Sequence, residues 1–88
     1  MKISLDRERT LKLNMNTMRK FEEISGASLF KIGENFSATQ LQILIFCCLS
    51  HEDKDLTLDS VGDMIDMSNM TYVSECVTEL MDTTKKKA

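Results

Sequence analysis

The chain contains no proline and only three glycines, Gly26, Gly33 and Gly62, in 88 residues. No Pro-, Gly- or Ser-rich stretch interrupts it and no internal repeat is visible, so one folded unit is expected rather than two joined by a linker. Long apolar runs are also missing. The longest, Leu41 to Leu49, is broken by Gln42 and falls far short of the ~18–20 residues that span a bilayer. The first residues, Met1-Lys2-Ile3-Ser4-Leu5-Asp6, turn polar too early for a signal peptide. No membrane association is expected, and a cytoplasmic location follows. Cysteine is scarce: Cys47, Cys48 and Cys76 are odd in number and two are adjacent, a poor disulfide framework that fits reduced, buried thiols.

Histidine is almost absent. His51 alone would have to serve any Ser–His or Cys–His nucleophile system, and it stands beside Glu52 and Asp53 in an expected surface loop. No catalytic pair stands out elsewhere, so the chain is read as non-enzymatic, with no cofactor and no small-molecule substrate. Cys47-Cys48 and Cys76 lack the C-x-x-C spacing or His partner of a metal site and are read as small buried hydrophobes. From Asp53 to Asp59 the acids resemble a calcium loop. Its sixth position, which should be Gly, is Leu58, and its twelfth, which should be Glu, is Met64; both failures fall where the loop geometry is set.

Positive charge is confined to the ends. Residues 1–31 carry seven Lys/Arg against four Asp/Glu, a net of +3; residues 32–84 carry only Lys54 against ten acids, a net of −9; Lys85, Lys86 and Lys87 restore the total of −3. Nucleic-acid binding relies on Lys and Arg neutralising phosphate, and so acidic a body opposes it. The last two helices resemble a helix-turn-helix in spacing, but the would-be recognition helix bears Glu75 and Glu79 and no cation. The row Asp59, Asp63, Asp66 suits a solvated helix face.

Hydrophobic residues make up 42% of the chain and charged residues 28%, which suits a folded domain. A domain of this size buries only ~60–65% of its unfolded surface, room for one apolar seam and not for a deep substrate cavity as well. Ile3 and Leu5, then Leu11 and Leu13, alternate on either side of Asp6-Arg7-Glu8-Arg9, which predicts a β-hairpin over residues 1–14 with that tetrad as its polar turn. Residues 15–82 are predicted helical. A first helix follows an Asn14 or Asn16 cap and ends at Ser25-Gly26, with Met15, Met18, Phe21 and Ile24 on its inner face. A further turn is expected at 28–32 before Gly33-Glu34-Asn35 breaks it. Ser37-Ala-Thr-Gln40 has the spacing of a capping box. The helix it opens, 38–50, is apolar almost all round and is placed at the centre of the fold. His51 to Asp55 is read as a solvated loop. Thr57 caps a helix over 58–66 that buries Leu58, Val61 and Ile65; Gly62 within it costs about 1 kcal/mol against Ala and suggests a closely approaching backbone. Ser68 or Asn69 caps a last helix, 70–82, burying Val73, Cys76, Val77, Leu80 and Met81. Residues 83–88 are expected to be a disordered tail. The fold class is thus mainly α with an N-terminal β-hairpin, a small α+β domain of four to five short helices around a central apolar one.

Seven methionines are the least ordinary feature. In a small core they fill gaps; on a surface, flexible thioethers repack around varied apolar partners. Met64, Met67 and Met70 cluster at the joint of the last two helices, with Tyr72 and Met81 further along. These five are the candidate partner-binding residues.

Met15-Asn16-Thr17-Met18-Arg19-Lys20-Phe21-Glu22-Glu23-Ile24-Ser25-Gly26 resembles the small tail assembly chaperones of long-tailed phages and gene transfer agents. The order of later pieces is similar too: the apolar Leu41 to Leu49, the acidic His51 to Asp55, Leu56-Thr57-Leu58-Asp59, and Val61-Gly62-Asp63-Met64-Ile65-Asp66. The likeness runs over about residues 3–80. It implies a phage or prophage chaperone, in the bacterial host cytoplasm, that coats the tape-measure protein and recruits tail-tube subunits without staying in the finished tail. Homo-oligomer formation stays open. Family members often have a longer form made by ribosomal frameshifting, whereas this chain stops on Lys85-Lys86-Lys87, whose A-rich codons suit a slippery site. A solubilising terminus and an expression remnant are the other readings of that tail. The runner-up function is a small regulatory or nucleic-acid-associated helical domain.

Overall fold

The structure, a computed structural model, describes residues 2–28 and 37–86. The extra turn expected at 28–32 and its break at Gly33-Glu34-Asn35 therefore fall outside the described residues. The chain is mainly helical with an N-terminal antiparallel hairpin, a small α+β fold. In order, the described elements are β1 (Lys2–Ser4), β2 (Glu8–Thr10), α1 (Met15–Ser25), α2 (Ala38–Leu49), α3 (Leu58–Met64) and α4 (Met70–Lys86).

The helix α2 lies at the centre, for the reason its sequence suggests. Leu41, Ile43, Leu44, Ile45, Cys47, Cys48 and Leu49 are all buried, on every side of the helix. Its start is held by the reciprocal capping box: the Gln40 N–H donates to Ser37 Oγ at 3.2 Å and the Ser37 N–H donates to Gln40 Oε1 at 3.0 Å. Phe21 of α1, Val61 of α3, and Val73 and Val77 of α4 complete the same apolar cluster. Burial on this scale, at roughly 25 cal/mol per Å² of apolar surface, is what drives so short a chain to fold.

The first helix corrects the predicted stripe. Asn14 is its cap, accepting the Thr17 N–H at 3.0 Å, and Gly26 ends it in the left-handed region at φ 74°. Its buried residues are Thr17 and Phe21, whereas Met15 is 68% and Ile24 42% exposed. Steps of three residues drift around a helix of 3.6 residues per turn, so Met15 and Ile24 stand about 180° apart and no single face holds both. Thr17 tolerates burial because its hydroxyl donates to the Lys12 carbonyl at 3.0 Å.

The hairpin is tighter than predicted. Its register pairs Ile3 with Arg9 and Ser4 with Glu8, so Glu8 and Arg9 belong to β2 and not to the turn. Both hairpin edges are met by groups from the helical body. On the β1 side the Ser4 N–H donates to the Tyr72 hydroxyl at 2.8 Å; on the β2 side the Thr10 N–H donates to Glu52 at 3.1 Å, and His51 Nε2 lies 3.0 Å from the Thr10 carbonyl. Open strand edges invite further pairing, and these contacts block it.

Thr57 caps α3 with a second capping box, closed by Ser60. That helix ends at Met64 rather than 66, with Ile65 extended. Gly62 is approached by a side chain and not by a backbone: an added Cβ would lie 2.7 Å from Gln42 Nε2, which donates to the Leu58 carbonyl at 2.8 Å. In α4 the backbone stays helical to Lys86, past the expected end at 82 and into the expected disordered tail. Neither Gly nor Pro occurs after Gly62 to stop it. Among the described residues, no helix is long and apolar enough to cross a membrane.

Candidate partner-docking surface

The link from α3 to α4 turns on two polar residues. Asp66 accepts from the Ser68 N–H at 2.9 Å and from the Ser68 hydroxyl, while Asn69 accepts the Asp66 N–H and donates to the Met64 carbonyl, each at 2.8 Å. The Ser68 hydroxyl, with backbone N–H groups, lowers the Asp66 pKa from its usual value. Because the link satisfies its own polar groups, Met67 is left in solvent, 91% exposed.

Where α2, α3 and α4 converge lies a cleft of about 200 Å³, lined by Ala38, Leu41, Gln42, Gly62, Ile65 and Met70. Small residues at Ala38 and Gly62 open it; Leu41, Ile65 and Met70 make it apolar. A second recess of about 470 Å³ continues along α4 over Met70, Thr71, Ser74, Glu75, Thr78 and Glu79. Met70 borders both. The joined surface is apolar at one end and acidic at the other.

The five sequence-selected residues separate here. Met64 and Met70 are half-buried against the core and, with Met67, gather at the α3–α4 joint as expected. Tyr72 is 40% exposed, but its hydroxyl is engaged by Ser4 at the hairpin edge, which gives it a structural task. Met81 is a correction. It is only 6% exposed and belongs to the core, since it follows Val73, Cys76, Val77 and Leu80 on the inward face of α4. Ala38, Leu41, Gln42 and Gly62 were missed as site residues; the signal available was the break that Gln42 makes in an otherwise apolar helix and a glycine inside α3.

Charged groups elsewhere serve the fold. Arg9 is buried, donating twice to Asp6 (2.8 and 2.9 Å) and once to Asp53 at 3.2 Å. The bidentate Arg9 guanidinium holds the Asp6 pKa down, from 3.8 to about 2. The segment from His51 to Asp55 is a solvated loop, as expected, and is also tied to β2 through His51, Glu52 and Asp53. Lys20 donates to Ser50 Oγ at 3.1 Å and sits 5.1 Å from the centre of the Phe46 ring. Burial pushes the Cys47 thiol up to about 11 and Cys48 up to about 12, which leaves both protonated and unreactive at neutral pH. Asp53 is taken up by Arg9 and Arg7, and among the described residues no group of three or more His, Cys, Asp or Glu side chains is arranged to hold a metal ion.

Compared with known proteins, the chain matches no family model, no curated protein and no solved structure.

Proposed function

We propose that this chain is a non-enzymatic assembly chaperone of a long-tailed bacteriophage or prophage, acting in the cytoplasm of the bacterial host. It binds the tape-measure protein and recruits tail-tube subunits. What carries the reading is the α2–α3–α4 joint, where an apolar cleft is bordered by the half-buried Met70 and the link between α3 and α4 leaves Met67 exposed to solvent. A tape-measure protein is a long helix with apolar faces that must stay soluble until the tube covers them. A surface of flexible methionines accommodates many such faces because it does not demand one side-chain shape. The resemblance of residues 15–26, and of the ordered pieces after them, to tail assembly chaperones supplies the identity of the partner.

Co-expression with the tape-measure protein encoded nearest to this gene tests the proposal. The expected result is soluble tape-measure protein that co-purifies with the chain, and recovery of the tail-tube subunit when that is added. A tape-measure protein that stays insoluble, with no complex at micromolar concentrations, would overturn it.

A further inference from the structure

The three thiols, which a peroxide ordinarily attacks first, are closed to it. Cys47, Cys48 and Cys76 are buried, and burial holds the thiols of Cys47 and Cys48 protonated at neutral pH. The oxidisable sulfur that faces solvent belongs instead to methionine. Among the described methionines, Met81 lies in the core, Met18, Met64 and Met70 are partly buried against it, and Met15 and Met67 are exposed, Met67 the more so at 91%. Met67 also stands in a link whose shape does not depend on its thioether. Asp66 holds Ser68, and Asn69 reaches from the Asp66 N–H to the Met64 carbonyl, so polar groups of neighbouring residues fix the backbone on both sides.

We infer that Met67 is a site of reversible oxidation by hydrogen peroxide, and that its sulfoxide weakens docking at the α2–α3–α4 joint while the fold stays intact. The second half rests on the proposed function, which counts Met67 in the docking surface. In the reaction a lone pair of the Met67 Sδ attacks one peroxide oxygen, and an S–O bond forms as the O–O bond breaks. The departing hydroxide takes the proton from the transferred oxygen and leaves as water. Sulfur is oxidised by two electrons and the peroxide is reduced by two. The product is a polar sulfoxide, a hydrogen-bond acceptor where a pliable apolar group stood. Pressed against an apolar partner, that oxygen loses its water without gaining a donor, a cost that the free chain does not bear.

Graded hydrogen peroxide on the full chain, followed by peptide mapping in a mass spectrometer, tests this. Met67 is expected to gain one oxygen before Met15 and well before Met18, Met64, Met70 and Met81. Thermal unfolding followed by circular dichroism should be unaltered in the chain oxidised at Met67. Its capture of the tape-measure protein encoded nearest to this gene should weaken about tenfold, as the loss of one apolar contact implies. Methionine sulfoxide reductase should restore that capture. Met15→Leu should leave the response to peroxide unchanged, and Met67→Leu should remove it. Earlier oxidation of another of these methionines or of a thiol, a lower unfolding temperature once Met67 alone is oxidised, or a response that survives in Met67→Leu would overturn the inference. The two readings fail separately. If the untreated chain captures the tape-measure protein and the oxidised chain does so equally well, the switch falls and the function stands. If the untreated chain ignores the tape-measure protein while Met67 oxidises first and the fold persists, the oxidation site stands; the function, with the switch that rests on it, falls.

Discussion

The two ends of this short chain are held by different kinds of force. Around the hairpin and the start of the α2–α3 connection, contacts are directional: Arg9 is fixed by two carboxylates, Thr10 by Glu52 and His51, and the Lys12 backbone N–H donates to the Cys48 carbonyl at 3.2 Å. Around α3 and α4 the core is apolar side chains, Asp59, Asp63 and Glu75 enter no ion pair among the described residues, and Met67 is left in solvent. Hydrogen bonds and ion pairs demand one geometry, whereas dispersion contacts between thioethers and aliphatic groups accept several. A single domain thus combines a pinned region that specifies the fold with a greasier, acidic region.

Both regions lean on α2, so the change of largest effect is the one that removes their shared support. Leu44 is fully buried, and Leu44→Ala should cost about 3 kcal/mol, read from urea unfolding. For a domain of this size that is a large part of the total. If only the α3–α4 half loosened, with the hairpin unaffected, the two halves would be more independent than their shared packing on α2 suggests.

Arg9→Ala is next, and it probes the pinned half alone. Asp6 loses its partner, Asp53 keeps only the longer contact with Arg7, and β2 loses its tie to Asp53. Since both acids keep access to water, the expected loss is about 2 kcal/mol, below that for a fully buried pair.

Asp6→Asn sharpens the same half through pH. The Asp6 pKa is lowered on folding, from 3.8 to about 2, so its stabilisation is fully present above pH about 4. It is lost as the pH falls toward 2. Allowing for solvent screening of a half-exposed carboxylate, Asp6→Asn should cost about 1 kcal/mol at neutral pH and flatten the acid limb of the stability profile. An unchanged slope between pH 4 and 2 would show that the bidentate pair contributes nothing net.

Gly62→Ala is the smallest and concerns the apolar half. Helix propensity favours Ala by about 1 kcal/mol, but the new Cβ displaces Gln42 from the Leu58 carbonyl, a loss of similar size. Thermal denaturation should therefore shift little. A marked destabilisation would mean that Gln42 has nowhere to move and that the α2–α3 contact is as rigid as the hairpin.

Much of this was legible in the sequence because it depends on near neighbours. The Ser37–Gln40 capping box, the Asn14 and Thr57 caps and the Gly26 stop are contacts within a few residues, and α2 declared itself central by being apolar on all sides. The first helix was misread where a spacing of three was taken for a face. Arg9 was misread because a charged residue in a polar tetrad looks like a turn until its partner, Asp53, arrives from 44 positions away. At the candidate surface the cluster of Met64, Met67 and Met70 was visible. So was the place of Met81 on the inward stripe of the last helix, which argued against choosing it as a docking residue; the work done by the Tyr72 hydroxyl was not.

By itself the sequence determined the identity and order of the elements, the apolar centre, and the concentration of negative charge after residue 54, since each follows from local hydrogen bonding, periodicity or composition. Tertiary structure alone decided that Arg9 is buried, that the acidic loop caps the hairpin, and that Ala38, Leu41, Gly62, Ile65 and Met70 surround one cleft. Those outcomes need residues far apart in the chain to meet, and which of them meet is set by how three helices pack, not by any pattern along one of them.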